Sequence, residues 1–375
     1  YNLNGEFIKE VVLAEFTDLK KFNQLNDSYF FEASENGNHI AFAFLDKHHN
    51  ENYIRLVNGI IKTDKLEKAE IYSTNIEVSD DIFASQIGEF FVSDNGELLN
   101  TVGTKNKEKD PFLYQFITLD KEKNYLSPIF LNSENVYFNS IDIEKVGGNI
   151  MFSGMIVTKG KSRNLNNGFF LAQMDIKENQ IQDLSTFIYS EEFFQSLGYK
   201  VKNNGRVKFR GSYTLDIVSN QDGSGYLIAE HTGIKNKYYA REEVICLPFD
   251  KEGKLGKDKI VLLKNQTGYT ANNGGMGYFA FSKDNQLHVL YNGVIKNLEI
   301  NQLDDLKTMK DVDDNKSATI LATLVNGEKF KREILFTYKN QKGYLVPSKC
   351  SDEEGEYIIS VLNKKKIRYG KLQFN

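Results

Sequence analysis

The side chains best suited to chemistry are few and scattered. Five histidines occur, at positions 39, 48, 49, 231 and 288, and none falls in the HExxH spacing that sets two imidazoles and a carboxylate on one helix face. His48 and His49 follow Asp46 closely and offer two imidazoles and a carboxylate to a metal, although a solvated turn is the simpler reading. Residues 311–315, DVDDN, match the first three ligand positions of a calcium loop. They lack its glycine and its closing glutamate, since Lys316 and Ala322 stand there. Residues 154–162, GMIVTKGKS, have one residue too many for a phosphate loop and lead into Asn/Gly coil rather than a helix. Glu230-His231 closes a strand-like run after Asp222-Gly223, and at an inner strand end this pair would face a central channel. No GxSxG elbow is present. With 51 acidic residues, spacing alone singles out no pair of glycosidase carboxylates. The segments read as inner strands are dominated by Phe, Tyr, Ile, Ala and Gly. The expectation is therefore no catalytic residue, no cofactor, no metal and no enzyme.

The elements that must hold these residues are strands. The chain has 375 residues, with 47 Lys+Arg against 51 Asp+Glu, a net charge of −4 and 40% hydrophobic residues, which fits a folded chain. Mild acidity argues against a nucleic-acid binder that relies on a basic field. No apolar run is long enough to cross a bilayer as a helix. Cys246 and Cys350 are far apart and outside any CxxC, so two free thiols are expected, with one bridge between them as the other option. The chain starts at Tyr1, which reads as an exported protein after leader removal or as a trimmed sequence.

One segment type recurs: an apolar strand, an Asp with a short Lys/Glu stretch ending in Asn or Gly, then a second strand. It occupies Phe112–Leu131, Phe169–Tyr189 and Glu243–Leu263, with looser copies at Tyr53–Tyr72, Ala318–Phe336 and Glu356–Phe374. A hairpin signal precedes each copy. These signals lie at Tyr29–Leu45, Gly88–Val102, Val136–Val157, Tyr213–Glu230, Tyr278–Tyr291 and Gly343–Ser360, around dipeptides such as Asn36-Gly37, Asn95-Gly96 and Asp222-Gly223. Such dipeptides supply the positive φ of tight turns. Gly37 and Gly355 are 318 residues apart over five intervals, about 64 per interval. Two hairpins per period make a four-stranded meander. A series of them predicts an all-β chain, a single β-propeller over residues 1–375, with six blades ahead of seven. A pair of β-sandwiches would not repeat one two-hairpin unit, and a solenoid would need a shorter period. The only short helices expected are Leu303–Lys310 and Glu191–Leu197. A strand around Phe7–Phe16 is expected to pair with Lys365–Phe374 and close the ring.

Two loops and a basic run stand out as contact candidates. Gly268–Tyr278 is Gly/Asn-rich and offers Tyr269, Asn272, Asn273, Met276 and Tyr278; Lys159–Asn167 offers Lys161, Arg163 and Asn164. The run Lys364–Arg368 reads as edge lysines or as a site for an acidic partner.

The phrases at Asp94–Leu99, Lys109–Asp120, Asn149–Ile156, Asn166–Asp175, Asp222–His231 and Asn285–Gly293 resemble those of exported β-propeller proteins of Bacteroidota, over roughly residues 29–300. Tyr291-Asn292-Gly293 departs from that pattern by lacking its usual Asp. The resemblance implies a secreted or periplasmic location, peripheral to the outer membrane, and carries no catalytic residue. One member type is the plug-like subunit beneath the type 9 secretion translocon. The favoured expectation is thus a non-catalytic propeller whose rim binds an outer-membrane or periplasmic protein complex and caps a secretion channel. The alternative is a secreted propeller that binds or cleaves glycans, its sign being two or three acids with aromatic platforms.

Overall fold

Each Asp of the recurring segment closes its own turn. Asp120 Oδ1 accepts from the Glu122 and Asn124 backbone N–H groups at 2.9 and 2.8 Å. Asp250 Oδ1 accepts from that of Lys254 at 2.8 Å, and Asp175 Oδ1 from that of Glu178 at 3.2 Å. A carboxylate that caps a turn in this way replaces missing backbone partners, which is why the residue type repeats. The first hairpins turn on positive φ instead. Gly96 sits at φ +76°, and Asp284 and Asn285 at +52° and +59°, the two-residue geometry whose twist matches the flanking strands.

A computed structural model describes residues 29–47, 53–64, 69–78, 84–107, 110–131, 137–146, 149–158, 165–176, 178–197, 199, 212–235, 237–268, 275–300, 302, 305–310, 316–353, 355–363 and 365–374. These form six antiparallel sheets. The first comprises β1 (Tyr29–Ala33), β2 (His39–Lys47), β3 (Tyr53–Lys62) and β4 (Glu70–Glu77). The second comprises β5 (Ala84–Val92), β6 (Leu98–Lys105), β7 (Leu113–Leu119) and β8 (Ile129–Leu131). The third has β9 (Tyr137–Val146), β10 (Asn149–Thr158), β11 (Leu165–Asp175) and β12 (Gln180–Ile188). After helix α1 (Glu191–Ser196), the fourth has β13 (Ser212–Ser219), β14 (Gly225–Lys235), β15 (Tyr238–Phe249), β16 (Ile260–Leu262) and β17 (Gln266–Gly268). The fifth has β18 (Tyr278–Lys283), β19 (Gln286–Val294), β20 (Ser317–Val325) and β21 (Lys329–Thr337). After helix α2 (Tyr338–Gln341), the sixth has β22 (Tyr344–Leu345), β23 (Ser351–Glu353), β24 (Glu356–Asn363) and β25 (Lys366–Leu372). A chain of four-stranded meanders is a β-propeller, as the repeat predicts.

One strand is broken where the sequence reading drew it whole, and another resumes beyond its expected end at Leu263. β22 and β23 both pair with β24, separated by a 3-10 turn at Pro347–Lys349, because Pro347 has no N–H for the ladder. β16 and β17 both pair with β15, and residues 263–265 leave the ladder between them. Helix α1 lies where expected, capped by Ser190. Of the helix expected at Leu303–Lys310, Asp305 lies in a 3-10 turn and residues 306–310 are not helical, and the expected closing strand at Phe7–Phe16 lies outside the described residues. Both cysteines are free.

The chain divides into two compact units, Tyr1–Lys145 with Asn149–Gln182, and Val146–Gly148 with Asp183–Asn375. In the first, Leu45, Leu56 and Ile60 pack against Ile87, Leu98 and Ile117, while Leu99, Phe116 and Leu131 pack against Phe138, Phe152 and Phe170. In the second, Ile228, Val244 and Cys246 pack against Leu287, Val289 and Ile320. Middle strands are covered on both faces, so they read as near-continuous apolar runs. His288 fits this setting: it stacks on Phe281, its Nδ1 is 3.0 Å from Thr323 Oγ1, and burial lowers it to about 4.

One polar pair joins the first two sheets from inside the core. Asn58 Nδ2 donates to Asn100 Oδ1 at 2.9 Å, Asn100 Nδ2 donates back at 3.3 Å, and Tyr125 Oη donates to Asn58 Oδ1 at 2.9 Å. Both asparagines are fully buried. Asn58→Leu would strand the Asn100 amide and the Tyr125 hydroxyl, and should cost about 2–4 kcal/mol in urea unfolding. Asn58→Leu with Asn100→Leu should recover most of that loss. A single variant as stable as the parent would show that the pair is not needed.

Candidate functional site

The first unit brings carboxyls together through a β-bulge. Ile87 pairs with Val102 and Phe90 with Asn100, so Gly88 and Glu89 together face Thr101 alone. The Thr101 hydroxyl holds this irregularity: it accepts from the Glu89 N–H at 2.5 Å and donates to the Glu89 carbonyl at 3.1 Å. Only glycine fits at 88, since a Cβ there would lie 2.7 Å from Thr101 Oγ1 and 2.9 Å from Tyr114 Cε1. A bulge resets strand alternation and re-aims the side chain that follows. Here that side chain is Glu89.

Glu89 on β5 is half-buried, and its carboxyl is raised to about 7 by burial, by the charge of Asp142 on β9, and by that of Glu32 on β1. Asp142 is raised by its own burial, against which the Ile143 N–H, donating to Oδ1 at 3.1 Å, acts in part. Tyr114 lies beneath the bulge. Its hydroxyl accepts from Gln86 Nε2 at 2.8 Å, and burial followed by the charge of Glu89 raises it. Each acid comes from the first strand of its sheet. A carboxyl that keeps its proton near neutrality beside a second acid is equipped for proton transfer to and from a substrate.

The second unit holds another charged centre, also at a bulge. Glu230 pairs with Val244 but Thr232 with Arg241, so His231 faces both Glu242 and Glu243. On the face shared with Ile228 and Val244, buried Glu230 takes two cations. Arg241 Nη1 donates to its Oε2 at 2.7 Å, and Lys264, itself 1% exposed, donates to Oε1. Lys264 sits in the break between β16 and β17 and donates also to Gln266 Oε1 at 3.0 Å. Burial lowers its ammonium, while Glu230 pulls the other way. On the opposite face Tyr199 Oη lies 2.8 Å from His231 Nδ1 and donates to Glu243 Oε1 at 3.1 Å. Tyr213 reaches the same oxygen at 3.4 Å. Burial raises Glu243, but the hydrogen bond and charge that His231 offers outweigh it and hold the carboxyl low. This centre is closed in, with Glu230 and Glu243 fully buried and His231 nearly so.

Of the residues singled out in the sequence, Glu230-His231 do meet partners of opposite charge, though in the interior rather than at an open mouth. Met276 is buried and Tyr278 packs against the core of the second unit. Tyr269, Asn272, Asn273, Lys161, Arg163, Asn164, His48, His49 and residues 311–315 lie outside the described residues. Glu32, Glu89 and Asp142 were missed. Their sheets were legible, but at Glu89 a bulge breaks the alternation from which a side chain's direction is read, and Glu32 and Asp142 gain their acidic neighbour only through the fold.

No protein-family model matches the chain, and no characterised protein sequence does. Solved propellers do align with it. Polysaccharide lyase Uly1 is 11% identical, with a TM-score of 0.42 over 92% of this chain and 76% of that one. The β-propeller domain of the Trilobed protease from Pyrococcus furiosus is 8% identical, with a TM-score of 0.39 over 93% and 82%. The α-L-arabinofuranosidase Arb93A from Fusarium graminearum is 7% identical, with a TM-score of 0.36 over 94% of each chain. These are likenesses of fold. The expectations of a non-catalytic, protein-binding channel cap and of a chain that is no enzyme are corrected. The first strands, read as dominated by Phe, Tyr, Ile, Ala and Gly, carry the carboxyls of Glu32, Glu89 and Asp142, with that of Glu89 raised to about 7.

The buried ionic centre makes a stability prediction. Glu230→Gln leaves Lys264 buried beside Arg241 without its carboxylate and should cost about 3–5 kcal/mol in denaturant unfolding. Glu230→Gln combined with Lys264→Met should regain most of it. A double variant no more stable than the single one would contradict this pairing.

Proposed function

We propose that this chain is a glycan-cleaving propeller whose acid–base pair is Glu89 and Asp142. The observation that carries the reading is the half-buried Glu89 carboxyl at about 7, set by a glycine bulge beside a second carboxyl on the neighbouring sheet. Glycosidic bond hydrolysis needs a carboxylic acid to protonate the leaving oxygen and a carboxylate to act as base or nucleophile. Glu89 supplies the first because burial and like charge keep its proton on. Asp142 supplies the second. Burial raises this carboxyl too, and the Ile143 N–H, donating to its Oδ1, favours the ionised form against that shift. Tyr114 and Gln86 support the bulge from below.

A panel of neutral and acidic polysaccharides, with released reducing ends as the readout, tests the reading. Cleavage should fall by about 10²–10⁴ in Glu89→Gln and in Asp142→Asn. Parent activity should decline as pH rises through about 7, where Glu89 loses its proton. Unchanged cleavage in Glu89→Gln, or no cleavage of any member of the panel by the parent chain, would overturn it.

A further inference from the structure

The hairpin of β14 and β15 ends in an exposed tip. Among the described residues β13 pairs with β14 as far as Thr232 and β17 with β15 as far as Tyr239, and the β14–β15 ladder continues through Gly233–Ala240, Ile234–Tyr239 and Lys235–Tyr238. The root of this extension is fixed, because Arg241, opposite Thr232, is held by the fully buried Glu230. The tip is apolar and basic. Ile234 is 62% exposed, Tyr239 40% and Tyr238 38%. Lys235 and Lys237 fall between Thr232 and Ala240, and no acidic residue does.

Direct cross-strand partners share a face, so Ile234 and Tyr239 lie on one side of the ribbon and Tyr238 on the other. A flat protein surface would cover one side and leave the other wet. A layer of lipid headgroups surrounds both. Tyrosine is favoured at that depth, an aliphatic side chain gains by entering it, and lysine is drawn to anionic lipid. We propose that the β14–β15 tip docks on a bilayer surface containing anionic lipid. This is independent of the glycan reading, since it uses none of the same residues.

The chain contains no tryptophan, so Ile234→Trp installs a single reporter on the exposed tip. Mixed with phosphatidylcholine vesicles containing phosphatidylglycerol, its emission should shift to the blue and the full chain should sediment with the vesicles. Phosphatidylcholine alone should give neither effect, and added salt should reverse both. Lys237→Glu should weaken association by about fivefold or more, at roughly 1 kcal/mol per basic residue near the surface. Ile234→Ser should weaken it too, with an unchanged circular dichroism spectrum. The proposal fails if the parent ignores anionic vesicles, or binds them equally well after Ile234→Ser. It also fails if these substitutions abolish retention on an acidic polysaccharide while vesicles are not bound.

Discussion

A carboxyl group that leaves water must either find a cation or keep its proton. The two units meet this constraint in opposite ways. In the second unit Glu230 is matched by Arg241 and Lys264, and Glu243 by His231 with two tyrosine hydroxyls. In the first, Glu89 is raised by burial and by two further acids, with no cation among the causes. The same physics yields a closed ionic lock in one place and a proton reservoir in the other. Chemistry belongs to the second kind, because a matched carboxylate has nothing left to give.

Both centres depend on a bulge. A regular ladder would place every second side chain on one face and could not bring His231 against both Glu242 and Glu243. At Glu89 the device is built from three residues: a glycine that tolerates Thr101 and Tyr114 at close range, a threonine whose hydroxyl replaces the lost ladder bonds, and the glutamate itself. The sheets around these points are apolar and stacked, so the irregularity is held rigidly.

The strand repeat was legible because its signals are local. Asn95-Gly96 and Asp284-Asn285 need no tertiary context to turn a chain, and Asp120 or Asp250 can cap its own loop. The breaks at Pro347 and at Lys264 were harder to read, since each interrupts only part of a strand that elsewhere pairs normally. Glu230-His231 stood out as charged residues at the end of an apolar run. Glu89 and Asp142 did not, because what distinguishes them is the company brought by the fold: two acids more than 50 positions apart in sequence, on first strands of neighbouring sheets. Met276 and Tyr278 looked like loop residues beside a glycine-rich stretch, and the core took them instead.

The central claim is that Glu89 keeps its proton in the folded chain. Its folded value lies above its unfolded one, so the native state binds the extra proton. The associated stability is then present in full below about 4.5 and is lost as pH rises through about 7. The most direct measurement is the ¹³C shift of the Glu89 carboxyl followed by NMR against pH, in the parent and in Asp142→Asn. The account predicts a midpoint near 7 in the parent and a lower one in the variant. A midpoint near 4.5 in both would contradict it.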